Sequence, residues 1–240
     1  MLLGLVSAKG SPGVTTAALT LAAHLGADGV LVEFDPSGGS VECWTGTTGE
    51  PGLVRAASAL RRSITPDALL QGVTLTPPGV STVLAPTAGG QAESAVAAIG
   101  ERLGSAAADA KQFIVLDAGR WSYTQPTARR LSGCDHVLVV CQPSIAGIES
   151  ARALVDSLRS TVDGPVELLL VGERPYRERD VVQATGLPVV GVLPWDSRAV
   201  NDLLTVGPTK GWFRTGLARS AGSILSTVIA AYASRIGVVA

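Results

Sequence analysis

The sequence predicts an α/β fold with a mostly parallel, twisted sheet of about seven strands and helices on both faces. The first observation behind this prediction is a series of short, continuous runs of Val, Leu and Ile, typical of strands buried on both faces. The second is that helical patterns alternate with these runs along the chain. The third is a glycine-containing turn between the first strand and the first helix. Ligands of such folds bind at the carboxyl ends of the strands.

The elements follow one another in a regular order. Each predicted strand is an apolar run bounded by turn residues: Leu2–Ser7, Val30–Phe34, Ser81–Leu84, Phe113–Leu116, His136–Cys141, Val166–Val171 and Val189–Leu193. Helical periodicity predicts helices over Thr15–Leu25, Gly52–Arg62, Ala92–Leu103, Ile148–Leu158, Glu178–Thr185, Ala199–Leu204 and from about Leu217 to Ser234. The stretch Thr45–Gly90, rich in Gly, Pro, Thr and Ser, is interpreted as helices and loops packed on one side. We expect one domain over residues 1–240, because neither a repeat nor a linker divides the chain.

Composition excludes several classes of function. The chain is 46% hydrophobic, 16% charged and carries a formal net charge of −1, which leaves no overall basic footprint for nucleic acid. Its three cysteines, Cys43, Cys134 and Cys141, lack metal-like spacing and are expected to be reduced thiols. We expect neither a secretory signal nor a membrane span, and we interpret the apolar stretch Ile224–Ala240 as a core-packing helix. The predicted location is therefore the cytoplasm.

The run Ala8–Thr16, which reads Ala-Lys-Gly-Ser-Pro-Gly-Val-Thr-Thr, carries most of the functional information. A glycine turn between a strand and a helix can cradle phosphate with backbone N–H groups, and Gly10 and Gly13 allow a close approach. Thr15 lies where a hydroxyl would bind Mg²⁺, and Thr16 follows it. Such a loop normally has a lysine just before the Ser/Thr, but this chain has Val14. The sequence therefore predicts a phosphate cradle without its usual amine.

Two carboxylates are predicted to lie beside this loop. Asp35 ends the second strand and Asp117 ends the strand Phe-Ile-Val-Leu, so both fall at the carboxyl edge of the sheet. A carboxylate at this edge can bind Mg²⁺ or its water shell, or orient an attacking water. A simple turn or helix cap is the alternative for each aspartate taken alone. The loop and both carboxylates together favour a nucleotide site.

The chain resembles the MinD/ParA-type P-loop ATPases, whose deviant phosphate loop has the form K-G-G-x-G-K-T-T. The corresponding residues here are K-G-S-P-G-V-T-T, from Lys9 to Thr16. V-E-F-D-P-S-G-G-S resembles the family's V-D-x-D-P-Q-x-x, and C-D-H-V-L-V-V-C-Q-P-S resembles A-D-x-V-L-I-V-T-x-P-x. G-L-P-V-V-G-V-L-P-W-D, which ends at Asp196, is similar to the family's L-G-x-P-V-L-G-x-I-P-x-D. The motifs occur in the family's order across nearly the whole chain.

This resemblance assigns roles to residues. It implies that Lys9 is the signature lysine, which in the family reaches the partner subunit's nucleotide, so that a homodimer is expected. Thr15 corresponds to the Mg²⁺-binding threonine, Asp35 to the switch-I aspartate that supports hydrolysis, and Asp117 to the Walker-B aspartate. The implied cofactor is ATP or ADP with Mg²⁺. The implied nucleotide-binding residues are Lys9, Gly10, Ser11, Gly13, Val14, Thr15, Thr16 and Asp117. The implied metal site is Thr15, Asp35 and Asp117.

Three departures from the family pattern define the functional alternatives. Val14 replaces the catalytic lysine, Ser11 and Pro12 stiffen the loop, and Gly172-Glu173-Arg174 replaces the Asn-Arg pair that reads adenine. The first hypothesis is therefore a positioning or assembly factor with weakened nucleotide binding and slow or absent hydrolysis. The second is an active ATPase that recruits another cation, for which Arg120 is a candidate. The third is a scaffold whose loop binds nothing.

The stretch L-D-A-G-R-W, Leu116 to Trp121, resembles the D-L-P-R-x-W pattern of the CpaE/TadZ subgroup. This closer resemblance implies partners in Tad-type pilus or secretion machinery, and placement at a pole or membrane through those partners. The remaining candidates are interpreted as structural. They are the separated histidines His24 and His136, and the arginine pairs Arg61-Arg62 and Arg129-Arg130 at the surface of helices. Trp195 and Trp212 are interpreted as core or interface residues, with flanking of a nucleotide base as the alternative.

Overall fold

A sheet of eight strands forms the centre of the molecule, and the computed structural model describes residues 1–76, 79–122 and 128–237. The strands are β1 (Leu2–Ser7), β2 (Gly29–Glu33), β3 (Val73–Leu75), β4 (Ser81–Val83), β5 (Phe113–Arg120), β6 (His136–Cys141), β7 (Val166–Val171) and β8 (Val189–Leu193). Their order is β3-β4-β2-β5-β1-β6-β7-β8. All neighbours pair in parallel except β3 and β4. The predicted α/β class with a mostly parallel sheet is therefore confirmed.

Helices connect the strands and cover the sheet. They are α1 (Val14–Leu25), α2 (Val41–Thr45), α3 (Gly52–Leu60), α4 (Pro66–Leu70), α5 (Gly89–Ile99), α6 (Arg102–Ala108), α7 (Ala128–Leu131), α8 (Ile145–Leu158), α9 (Glu178–Thr185), α10 (Ser197–Thr205) and α11 (Gly216–Arg235). Short 3₁₀ turns span Gly26–Asp28 and Trp212–Arg214.

The side chains of each strand point alternately to the two faces of the sheet, and this produces two apolar layers, one on each face. In β1, Leu3 and Leu5 pack in the layer that contains α1 and α11, whereas Leu2 and Val6 pack in the layer that contains α5 and α8. Because successive side chains of a strand point to opposite faces, a strand covered on both faces must be apolar throughout. This explains the continuous apolar runs in the sequence.

Several elements differ from the sequence predictions, which did not include the short helices α2 and α7. The strand β3 was missed and gives eight strands rather than about seven, because Val-Thr-Leu is short and two of its three residues are only partly buried. The predicted helix Ala92–Leu103 is two helices, since Gly100 between α5 and α6 has φ +48°, outside the helical region. The stretch Thr45–Gly90, interpreted as helices and loops, also contains this antiparallel β3–β4 edge.

The last helix, α11, packs on the sheet layer as the sequence predicts. Its buried side chains lie against α1 and β8, and include Leu217, Ile224 and Val228. The contact with α1 is close, because a Cβ atom added to Gly222 would lie 2.7 Å from the His24 ring. Within the described residues, no helix combines the length and apolar character needed to cross a membrane. Residues 238–240 of the predicted C-terminal segment lie outside the described residues.

Candidate functional site

The loop after β1 ends in a helix N-terminus that is not capped by a side chain. Gly13 adopts a left-handed conformation, with φ 97° and ψ 38°, and no side chain accepts a hydrogen bond at this cap. The first intrahelical bond runs from the Ala17 N–H to the Gly13 carbonyl at 2.8 Å. The preceding amides of the first turn therefore have no intrahelical acceptor, and no acidic residue lies in this turn. Such an end attracts anions.

Val14, which occupies the position of the usual lysine, is the first residue of α1 and is buried. Its side chain is only 6% exposed and belongs to the apolar layer formed with α1, β1 and α11. Pro12 is also buried, whereas Lys9 and Ser11 are exposed. Because Pro12 has no N–H, that position of the loop cannot donate to an anion. The polar groups that the loop presents are therefore backbone amides and the side chains of Lys9, Ser11, Thr15 and Thr16.

The hydroxyl of Thr15 lies close enough to the carboxyl of Asp117 to stabilise its charged form. Asp117 lies inside β5, which continues to Arg120, and not at the end of the strand as the sequence analysis predicted. It is 1% exposed, and its Oδ1 accepts the Gly119 N–H at 3.0 Å. Burial, together with the charges of Glu33 and Asp35, raises the pKa of Asp117 to about 7, although the Thr15 hydroxyl and the Gly119 N–H oppose this change. The model therefore brings together the predicted Mg²⁺-binding threonine and the predicted Walker-B aspartate.

Asp35 lies over the backbone of Gly119. A Cβ atom added to Gly119 would overlap the Asp35 carboxyl, and Gly119 has φ +63°. Asp35 Oδ1 also accepts the Ser37 N–H at 2.8 Å, in a turn at the start of the segment 36–40. Gly119 is thus the residue that allows the carboxyls of Asp35 and Asp117 to approach one another at the sheet edge.

Glu33 is a buried acidic residue that the sequence analysis did not single out. Its Oε1 accepts the N–H groups of Ser40 and Val41 at 2.8 and 3.0 Å, and its Oε2 accepts the Ala85 N–H at 3.1 Å. Burial raises the pKa of this carboxyl, and the three amide donors oppose that effect. Glu33 therefore anchors the segment 36–40 and the start of α2 to β2 and to the end of β4. A charged residue inside an apolar strand was the available signal.

Arg130 corrects the prediction that the pair Arg129-Arg130 lies at a helix surface. The Arg130 side chain is 7% exposed, and its Nη1 donates to the carbonyls of Phe34 and Ala118 at 3.1 and 3.4 Å. Burial lowers its pKa to about 10, which the nearby Asp35 opposes, so the guanidinium is cationic at pH 7. It therefore ties the end of β2 to the end of β5. The Arg129 side chain lies outside the described residues.

An apolar cavity of about 350 Å³ opens beside the first turn of α1. Gly13 and Thr16 border it from the loop, Val171 from β7, and Trp195 from the segment after β8. The Trp195 side chain is 70% exposed, so it does not pack in the core, whereas Trp212 is buried. Packing of Trp195 in an interface stays a prediction. Asn201 of α10 adds an amide to the lining. A flat, largely apolar group attached to a phosphate at the loop would fit this position.

The other candidate residues lie apart from this site or have other partners. Arg120 is exposed at the end of β5, and Glu173 and Arg174 are exposed after β7. The described His, Cys, Asp and Glu residues form no group of three that could hold a metal ion. Burial raises the pKa of the Cys134 and Cys141 thiols, which disfavours reactive roles. His136 Nε2 lies 2.7 Å from Glu167 Oε2 and is buried in β6.

A nucleotide with Mg²⁺ fits part of this arrangement. The open amides of the first turn and the adjoining cavity suit a phosphate chain and a base, and Thr15 and Asp117 supply oxygen ligands of the kind that Mg²⁺ prefers. When bound, Mg²⁺ would neutralise part of the phosphate charge. Val14 does not fit the usual pattern, because its buried isopropyl group offers no charge to the phosphates.

No protein-family model and no curated protein matches the sequence. Solved structures do match over nearly the whole chain. The ParA family ATPase from Chlorobium tepidum TLS shares 19% identity, with 95% of this chain and 97% of that chain covered and a TM-score of 0.73. MinD from Pyrococcus horikoshii OT3 in complex with Mg-ADP shares 15% identity over 95% of both chains, with a TM-score of 0.73. The MinC:MinD cell division protein complex of Aquifex aeolicus gives 12% identity, 95% coverage of both chains and a TM-score of 0.73.

These matches show that the chain has the fold of the MinD and ParA family structures. The fold that the resemblance implies is therefore confirmed. The closer resemblance to the CpaE/TadZ subgroup stays a prediction.

Proposed function

We propose that this protein is a MinD/ParA-like nucleotide-binding factor that positions or assembles partner proteins and hydrolyses ATP weakly or not at all. The observation that carries the proposal is the uncapped N-terminus of α1 beside the cavity of about 350 Å³, with the Thr15 hydroxyl near the Asp117 carboxyl. Backbone amides, a base-sized cavity and Mg²⁺ ligands are the parts that a nucleotide site requires.

Weak hydrolysis follows from the charges near the loop. A lysine in the loop stabilises the charge that develops on the phosphates during transfer, and Val14 cannot replace it. Among the described residues, Arg130 is a buried cation beside Asp35, but its Nη1 is bonded to two carbonyls beneath the site. The exposed Arg120 is the remaining candidate for the rival hypothesis of an active ATPase with a substitute cation. Because Arg130 Nη1 already donates to the carbonyls of Phe34 and Ala118, this arginine is not placed to replace the lysine. This favours weak or absent hydrolysis.

The base is proposed to enter the cavity between α1 and α10. Trp195 offers an aromatic face at its rim and Asn201 offers an amide, whereas Glu173 and Arg174 are exposed beyond β7. Stacking on an aromatic face accepts any base, so most of the selectivity is expected to come from Asn201. This arrangement would replace the Asn-Arg pair that the family uses for adenine.

Homodimerisation and partner binding complete the proposal. The exposed Lys9 lies at the edge of the loop, where a side chain can reach a second subunit. One of the structures with this fold is a MinC:MinD complex, in which a MinD chain is bound to a different protein. We propose partners of the same general kind here, and the L-D-A-G-R-W stretch points to Tad-type pilus or secretion machinery. The proposed location is the cytoplasm, with recruitment to a pole or membrane through those partners.

The test compares two substitutions at Thr16, in the first turn of α1. Thr16→Asp places a negative charge at a helix N-terminus, which stabilises the helix but repels phosphate. Thr16→Asn is the neutral control of the same size. We expect calorimetry to detect Mg-ADP binding by the wild type and Thr16→Asn, and none by Thr16→Asp, while Thr16→Asp unfolds at the same or higher temperature. Equal binding by both variants would contradict a phosphate site here. Absence of binding by the wild type would support the rival scaffold.

A steady-state ATPase assay addresses hydrolysis separately. We expect turnover at the background level in the presence of Mg²⁺. A turnover typical of ordinary ATPases of this fold, abolished by Asp35→Ala, would support the active-ATPase alternative instead.

A further inference from the structure

The described loop keeps the contacts that suit the first two phosphates of a nucleotide and lacks those that suit the third. In phosphate loops the backbone amides of the glycine turn cradle the α- and β-phosphates, and the lysine reaches the β- and γ-phosphates. The first turn of α1, preceded by Gly13 at φ 97°, still presents its amides. Val14, at the lysine position, is 6% exposed within an apolar layer. Pro12 removes one amide of the glycine turn, and the amides of the first helical turn remain to receive the first two phosphates.

Acidic side chains lie on the β5 side of the loop. Thr15 and Asp117 are the residues that would hold a metal ion when a nucleotide is bound. Beside them, Asp35 lies over Gly119, and Glu33 is buried at the end of β2. Arg130 Nη1 bonds the carbonyls of Phe34 and Ala118, so this group is directed at the backbone. With Val14 in place of the lysine, the third phosphate adds charge without the cation that usually receives it.

We infer that the site is selective for nucleoside diphosphates over nucleoside triphosphates. This inference rests on the proposed function, and names the ligand class that the same site retains. Bound to a diphosphate, the protein stays in one nucleotide state, and hydrolysis does not time its binding to partners. The expected preference is about tenfold or more, the factor associated with one missing charge-assisted contact.

The experiment measures dissociation constants by calorimetry for AMP, ADP and ATP, each with saturating Mg²⁺ and at constant ionic strength. We expect the wild type to bind ADP tightest, with ATP at least about tenfold weaker. Val14→Lys is expected to improve ATP binding by a similar factor and to reverse the order. Val14→Met, which keeps an apolar side chain at the same position, is the matched control and is expected to keep the preference for ADP.

The outcomes test the preference for diphosphates and the proposed nucleotide binding separately. If the wild type binds ATP as tightly as ADP or tighter, the diphosphate inference is wrong while nucleotide binding stands. If none of the three nucleotides binds, the proposed function fails and the inference fails with it. If Val14→Lys does not fold, because Val14 is buried, the wild-type series of AMP, ADP and ATP still decides the question.

Discussion

At the scale of single residues, Asp117 combines burial with two acidic neighbours. Its side chain is 1% exposed, and its pKa is raised to about 7 by burial and by the charges of Glu33 and Asp35. The carboxyl of an unfolded chain titrates near pH 3.8. Protonation of the Asp117 carboxyl therefore stabilises the folded state. This contribution to the free energy of unfolding is fully present below about pH 4. It is lost as the pH rises toward 7.

Asp117→Asn is expected to remove this dependence on pH, because the amide is neutral and still accepts the Gly119 N–H. The free energy of unfolding of the variant should exceed that of the wild type by an amount that grows between about pH 4 and 7 and is constant above. Urea unfolding of the nucleotide-free protein, followed by circular dichroism, measures it. A difference between variant and wild type that stays constant from pH 4 to 7 would contradict the account.

Gly119→Ala tests the close approach of Asp35. An alanine at φ +63° is strained, and its Cβ would overlap the Asp35 carboxyl. Gly46→Ala is a matched control, since Gly46 also has φ +63° but nothing lies within 4 Å of its added Cβ. We expect Gly46→Ala to cost about 1 kcal/mol, and Gly119→Ala to cost at least about 2 kcal/mol more, measured by chemical unfolding. Equal losses would mean that Asp35 does not lie over Gly119.

The sequence predicted that Asp35 and Asp117 lie close to the loop after β1, because the order of the strands identifies the sheet edge to which they belong. Their roles in binding stay a prediction. It could not predict the burial of Arg130 or of Glu33. The sequence of a short arginine pair is the same whether its side chains are buried or exposed. Likewise, a single glutamate in an apolar run does not reveal its hydrogen-bond partners. These properties depend on which backbone groups of β2, β4 and β5 meet in three dimensions.

At the scale of elements, the segment between β2 and α2 depends on Glu33. Three amides, from Ser40, Val41 and Ala85, donate to its carboxylate. Glu33→Ala would leave these amides without an acceptor, and each unsatisfied buried group costs about 1–3 kcal/mol. We expect a large loss of stability. We also expect hydrogen exchange at residues 40 and 41 to accelerate more than in β1.

The control for this prediction is Glu149→Ala on α8. Glu149 is exposed and pairs with Arg152 at 3.3 Å, so its removal should change stability by less than about 0.5 kcal/mol. If Glu33→Ala is no more destabilising than Glu149→Ala, then Glu33 does not anchor the segment.

Two of the differences between the predicted and the observed elements have separate physical causes. The strand β3 has three residues, too few for an apolar run to be distinguished from a loop, and antiparallel pairing with β4 stabilises it. The break between α5 and α6 depends on the backbone conformation of Gly100, whereas glycine within a helical pattern is tolerated often enough to be ambiguous. Long central strands and helices were predictable because burial on both faces fixes their composition.

At the scale of the whole molecule, Lys9 links the site to the proposed dimer. Lys9 is exposed in the loop that follows β1. Lys111 is also exposed, but it precedes β5 and so lies at the opposite ends of the parallel strands. We expect Lys9→Ala to abolish nucleotide-dependent dimerisation in sedimentation velocity experiments, and Lys111→Ala to leave it unchanged. A dimer of unchanged affinity in Lys9→Ala would show that the family role of this lysine does not transfer.

The central claim is that a phosphate binds the first turn of α1 although Val14 replaces the usual lysine. The most direct measurement is a titration of ¹⁵N-labelled protein with Mg-ADP, followed by amide chemical shifts. The account predicts that the amides of Gly13 to Thr16 shift most, together with the indole N–H of Trp195 at the cavity rim. The claim would be contradicted if saturating Mg-ADP left these amides unchanged, or if the largest shifts lay at the opposite edge of the sheet.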